Sequence, residues 1–180
     1  MMYFDDAFRT RALDWFAGII REGGLFLTGS TWASSTESRY FVFQKEDGHL
    51  RQREFAFSVD RVCPVAIMPW YTTMDDDREL ATLTPLLQTL RSDHDFKRHM
   101  DATGDDLRAE YGICPRGSDG YYGGIDPDLS PADLWTAASE MARRMGEAGL
   151  VEAAIAVLEG AGYRAHRNEV GHIAVTANAA

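Results

Sequence analysis

An α+β fold is what this sequence predicts: an antiparallel β-meander over about residues 25–69, with a C-terminal hairpin at 163–176 as a candidate extension, packed against several helices. Three observations carry this. Aromatic and β-branched residues concentrate between Arg39 and Trp70, in strand-length runs bounded by turn residues. The gaps between those runs are too short for a crossover helix, so neighbouring strands must run antiparallel. Helical periodicity is confined to the segments before and after this stretch. The 180 residues are enough for one domain with a sizeable core, and 1–180 reads as a single domain.

Residues 5–22 have the period of an amphipathic helix. Phe8, Ala12, Trp15, Phe16, Ile19 and Ile20 share a face, Asp5 or Asp6 can cap it, and Gly23-Gly24 stops it. Leu25 to Trp32 predicts the first strand, followed by a small, hydroxylic loop from Ala33 to Ser38. In the next hairpin Asp47-Gly48 is the turn signal. A two-residue loop would set Phe43 opposite Gln52 and Phe41 opposite Glu54, mixing Phe with charge on one face. A register one residue away sets Phe41 opposite Phe55, and burial selects it through a three-residue loop or a G1-type bulge. The core face is then Phe41, Phe43, Phe55 and Phe57, with Arg51 and Arg53 on the same side near the turn. Cys63 to Met68 is a continuous apolar run, which suits an inner strand with Pro64 and Pro69 at its ends.

Beyond Pro69 the composition changes. Asp75-Asp76-Asp77 opens a helical pattern on Leu80, Leu83, Leu87 and Leu90; three carboxylates there complement the helix dipole without a metal. Pro85 either kinks this helix or begins a second one with Thr84 as its N-cap. Ser92 to Met100 and Asp105 to Tyr111 predict two further short helices. Gly112 to Leu129 has no period of either kind, and irregular segments of this length are often functional. Next comes the best-signed helix of the chain, with Ser130 as N-cap, Pro131 at N1 and Asp133 closing a capping box. Its buried stripe is Leu134, Ala137, Ala138, Met141 and Met145. After a break at Gly146 to Gly149, Leu150, Ala153, Ala154, Val157 and Leu158 mark another helix, ended by Gly160 and Gly162. Tyr163 to Arg167 and His172 to Thr176 alternate like two strands; pattern leaves open whether they join the main sheet.

The net charge of −10 and sequence pI near 4.9 argue against nucleic acid as a partner. Between Asp75 and Asp133, fourteen Asp and Glu face six Lys and Arg, a local net of −8 that leaves −2 elsewhere. No apolar run reaches a membrane span, and acidic residues near the N-terminus replace the basic region of a signal peptide, so a cytoplasmic protein without membrane contact is expected. Cys63 and Cys114 are too few and too distant for a metal knuckle and read as buried small hydrophobes.

No motif with a catalytic or cofactor mechanism stands out. His94 and His99 are five apart and fall on different helix faces, unlike a zinc helix. His166 and His172 would face each other only if their turn centred near Glu169. The acidic runs lack the Asp-x-Asp-x-Asp-Gly order of an EF-hand loop, and Asp126 and Asp128 with Asp119 could at most hold calcium loosely. No nucleophile elbow, phosphate loop or dinucleotide fingerprint occurs. We therefore expect no catalytic residues, no metal and no cofactor. The expected function is an acidic protein-binding module, of the inhibitor or immunity type, that neutralises a basic partner such as a nuclease toxin. Its expected contacts are Asp119, Tyr121, Tyr122, Asp126 and Asp128, with Arg116, Trp70 and Tyr71 beside them. The alternatives are a hydrolase-like enzyme between Trp70-Tyr71 and the 112–129 loop, where Arg116 would hold an anionic substrate, or an accessory subunit dimerising through its C-terminal helices.

Overall fold

The computed structural model describes residues 6–32, 36–61, 78–114, 116–119, 123 and 128–177. In chain order its elements are α1 (Asp6–Ile19), β1 (Leu25–Trp32), β2 (Thr36–Glu46), β3 (His49–Phe57), a 3-10 turn (Val59–Arg61), α2 (Arg78–Ser92), α3 (His94–Tyr111), α4 (Pro131–Glu147), α5 (Leu150–Gly160), β4 (Ala165–Arg167) and β5 (Ile173–Thr176). The strands form one antiparallel sheet in the order β1-β2-β3-β5-β4. The architecture is α+β, and the C-terminal hairpin joins the meander: β5 pairs with β3 from Glu54 to Phe57. The strand expected at Cys63 to Met68, with Pro64 and Pro69, lies outside the described residues.

The β2–β3 hairpin combines the two registers that the sequence sets against each other. Its loop is the two-residue Asp47-Gly48, with φ of 50° and 80°, the left-handed pair that matches strand twist. Phe43 therefore lies opposite Gln52. The ladder then shifts at a bulge between Val42 and Phe43, so that Arg53 is the extra residue and Phe41 lies opposite Phe55. The bulge is real but sits mid-ladder rather than at the turn. It also corrects the expected side of Arg51 and Arg53. Pairing places Arg51 beside Gln44, and Arg53 bonds Gln44 Oε1 at 2.9 Å and the Glu46 carboxylate, on the face opposite the Phe cluster. Two hydrogen bonds from the Asp47 and Gly48 amides to the Glu22 carboxylate tie the turn to the end of α1.

Phe41, Phe43, Phe55 and Phe57 are buried as expected and form the sheet's contribution to a single core cluster. Each such ring contributes roughly 1.5–3 kcal/mol by leaving water. Ile173 and Ala165 extend the face, and Leu83, Leu90, Met141, Met145, Leu150 and Leu158 close over it. α3 packs chiefly on α2, α4 and α5, forming a layer behind them.

Four helical expectations change. On α1 the residues against the sheet are Leu13, Phe16 and Ala17, with Phe16 stacked on Phe26 at 4.4 Å, while Phe8, Trp15 and Ile19 stay exposed. The apolar surface is wider than one face, and the sheet covers only part of it. α2 runs as one helix through Pro85, which excludes the alternative of a second helix capped by Thr84; Thr84 instead donates to the Leu80 carbonyl at 2.7 Å. Leu86 rather than Leu87 is the fully buried residue there. α3 is one helix of 18 residues, capped by Asp93 through the Phe96 amide at 2.8 Å; it passes through a buried Gly104. Tertiary contact outweighs the roughly 1 kcal/mol that an interior glycine costs.

Candidate functional site

Of the expected contact residues, Arg116, Asp119 and Asp128 are described, all of them exposed; Trp70, Tyr71, Tyr121, Tyr122 and Asp126 lie outside the described residues. The segment opens by tucking Ile113 and Cys114 into the core, which makes Cys114 the buried hydrophobe expected of it. Arg116 is then drawn back onto α3. Helical spacing puts Asp101 and Asp105 one turn apart on one face, and Arg116 reaches both, Nε to Asp105 at 2.7 Å and Nη2 to Asp101 at 3.6 Å. Lys97 shares Asp101, and Arg108, only 2% exposed, lies 3.3 Å from Asp105. The Arg116 guanidinium is thus ion-paired to two carboxylates of α3.

The same pairing runs along the rest of α3. Asp95 holds Arg98, and Glu110 holds Arg144 of α4. The acidic segment therefore builds structure as well as field. Exposed ion pairs of this kind are screened by solvent and contribute little to stability.

At the head of α4 both arms of the predicted capping box are made: the Ser130 hydroxyl accepts from the Asp133 amide at 3.2 Å, and Asp133 accepts from the Ser130 amide. One turn inside it stands Trp135, 50% exposed. Sequence reasoning passed over this residue while tracing the stripe of Leu134, Ala137, Ala138, Met141 and Met145. The signal was present: Trp135 is one residue off that stripe, about 100° around the helix. A large aromatic there is not needed by the core.

A concavity lies between the 3-10 turn, α4, α5 and the β4–β5 turn. It encloses about 450 Å³ and is bordered by Ser58, Arg143, Glu147, Arg167 and His172. His172 is set from behind. Asn168 Oδ1 accepts from the amides of Val170 and His172, which fixes the side-chain amide. Asn168 Nδ2 then donates to the Tyr40 hydroxyl at 2.9 Å. The Tyr40 hydroxyl lies 3.2 Å from His172 Nδ1. Every group is satisfied when Tyr40 donates to Nδ1 and His172 carries its proton on Nε2. Burial lowers the His172 pKa below its ordinary 6.5, with Asp60 pulling the other way, so the neutral ring is favoured. Burial likewise raises the Tyr40 hydroxyl pKa.

His166 does not face His172. It pairs with Ala174 across β5, and its Nε2 lies 3.2 Å from Glu54. Among the described residues no group of three His, Cys, Asp or Glu is placed to hold a metal ion. Ser58, the hydroxyl on the cleft wall, accepts from the Ser38 amide at 2.8 Å and is turned towards backbone rather than His172. What the cleft offers chemically is hydrogen-bond donors: the Arg143 and Arg167 guanidiniums, each ion-paired with surface carboxylates of the same chain, and the His172 ring. Among the described residues no helix is long and apolar enough to cross a membrane. Compared with known proteins, the chain matches no family model, no curated protein and no solved structure.

Proposed function

We propose that the protein is an acidic binding module whose α3–α4 side docks a basic protein, in the manner of an inhibitor or immunity protein covering the cationic site of a nuclease toxin. The observation that carries this reading is Trp135. It stands half-exposed on α4, just after Asp128 and Asp133, at the end of the segment whose net charge is −8. Tryptophan is the side chain most enriched among residues that dominate interface energy, and its ring face attracts Arg and Lys. Surrounding carboxylates steer a cationic partner and set the salt dependence. On this reading Asp119 and Asp128 are rim contacts, and Arg116 is a brace that holds the loop to α3. The setting is the cytoplasm.

The test is co-expression with the products of adjacent genes, followed by titration calorimetry on any complex formed. The expected complex weakens at least about tenfold with Trp135→Ala and weakens further as salt rises from 50 to 300 mM. No complex at about micromolar concentration, or one indifferent to both changes, would overturn the reading.

A further inference from the structure

We propose that the cleft between the 3-10 turn, α4, α5 and the β4–β5 turn is a binding site for a small organic anion, held by Arg143, Arg167 and the Nε2–H of His172. This site is separate from the Trp135 surface and does not rest on the protein-docking reading.

Three observations bear on it independently. The first is shape. A concavity of about 450 Å³ falls within the range of small-molecule sites, roughly 300–1,000 Å³, and Val151 and Val170 give it apolar wall.

The second is charge. The wall carries two guanidinium groups and one carboxylate, Glu147, in a chain whose net charge is −10. Arg143 is held by Glu140 and Glu147, and Arg167 by Glu152 at 2.8 Å. These pairs are on the surface, where solvent and salt screen them. A ligand carboxylate or phosphate can therefore exchange for a side-chain carboxylate at small cost. The Glu147 side of the cleft is unfavourable to the anionic group, which places it towards Arg167 and His172.

The third is preorganisation. His172 is not left to rotate. Asn168 and Tyr40, 128 residues apart in sequence, meet behind it and orient its ring; with Tyr40 donating to Nδ1, the ring proton sits on Nε2. Nδ1 faces Tyr40, so Nε2–H is the remaining ring donor of a residue that lines the cleft. The Tyr40 and Asn168 bonds hold the neutral imidazole as a donor. This is what a site for an anion requires, because the donor is aimed before the ligand arrives and no ordering cost falls on binding.

The experiment is a titration of the full chain, with histidine ring carbons labelled, followed by NMR at the His172 imidazole. The probes are inorganic phosphate, succinate and adenosine 5′-monophosphate, each against sodium chloride at matched ionic strength. At least one probe is expected to shift the His172 signals saturably with a Kd below about 10 mM. The phosphate and succinate arms separate a phosphate-bearing ligand from a carboxylate. Arg167→Ala and Arg143→Ala, both at exposed positions, should each weaken that binding by about tenfold. Tyr40→Phe should weaken it with the fold intact by circular dichroism, and Trp135→Ala should leave it unchanged. The proposal fails if no probe moves His172 more than sodium chloride does, or if the response survives both arginine substitutions.

Discussion

Gly29 has no room for one more methyl group. A Cβ there would lie 2.1 Å from the Arg39 carbonyl oxygen and 2.4 Å from Tyr40 Cα on the paired strand, next to the register shift at Ser30. Backbone, not a pliable side chain, is what it would meet. Gly29→Ala should therefore lower unfolding free energy by at least about 2 kcal/mol, read from urea midpoints. Gly146→Ala is the control: nothing lies within 4 Å of its Cβ, and helix propensity predicts a gain of about 0.5–1 kcal/mol. His172 makes a pH prediction. Its folded-state pKa is depressed, so between that value and 6.5 the unfolded chain binds a proton that the folded chain refuses. Its contribution to stability is complete above 6.5 and is lost as pH falls through 6.5, levelling off below the folded pKa. Tyr40 contacts the ring, Arg143, Arg167 and Glu147 line the same cleft, and the Asp60 carboxylate moderates the loss. Urea midpoints between pH 7.5 and 5 should show this slope, and His172→Gln should flatten it.

At the scale of elements, local signals were read well where the chain itself supplies the partner. The Ser130–Asp133 capping box is made within four residues, so its residues were visible in sequence. Ser130→Ala should cost about 1 kcal/mol, or a fall of roughly 2–4 °C in Tm by calorimetry. Gly149, at φ 74°, turns the chain between α4 and α5 where a break was expected. Signals failed where packing overrides propensity. Pro85 predicted an interruption and 92–111 was read as two short helices, yet α2 and α3 each continue as one helix, with Leu86, Leu90, Phe96, Met100 and Leu107 buried along them. In the hairpin, turn chemistry and burial each favoured a different register. The bulge at Arg53 reconciles them by letting the Asp47-Gly48 turn and the Phe41–Phe55 pair coexist.

For the whole molecule, the division of labour is between a Phe-faced sheet, the helices on it, and a charged outer layer. Trp135→Ala removes no buried contact of the core stripe, so it should leave the urea midpoint within about 0.5 kcal/mol of the parent while weakening partner binding. Salt should act in the same direction on binding and hardly at all on stability, because the α3 ion pairs are exposed and individually weak.

The sequence by itself determined the element types, the Phe core face, the α4 cap and the acidic bias, since each depends on spacing and composition over a few residues. It pointed to Arg116 as a functional cation, and only the tertiary structure showed it committed to Asp101 and Asp105. It noted His172 without a role. The pairing of β5 with β3 is what carries that histidine to Tyr40, 132 residues away, and sets it beside Arg143 and Arg167. Local pattern fixes which face of an element is apolar. Which faces meet depends on loop closure and on the total surface buried by all elements together, and no short window of sequence contains that sum.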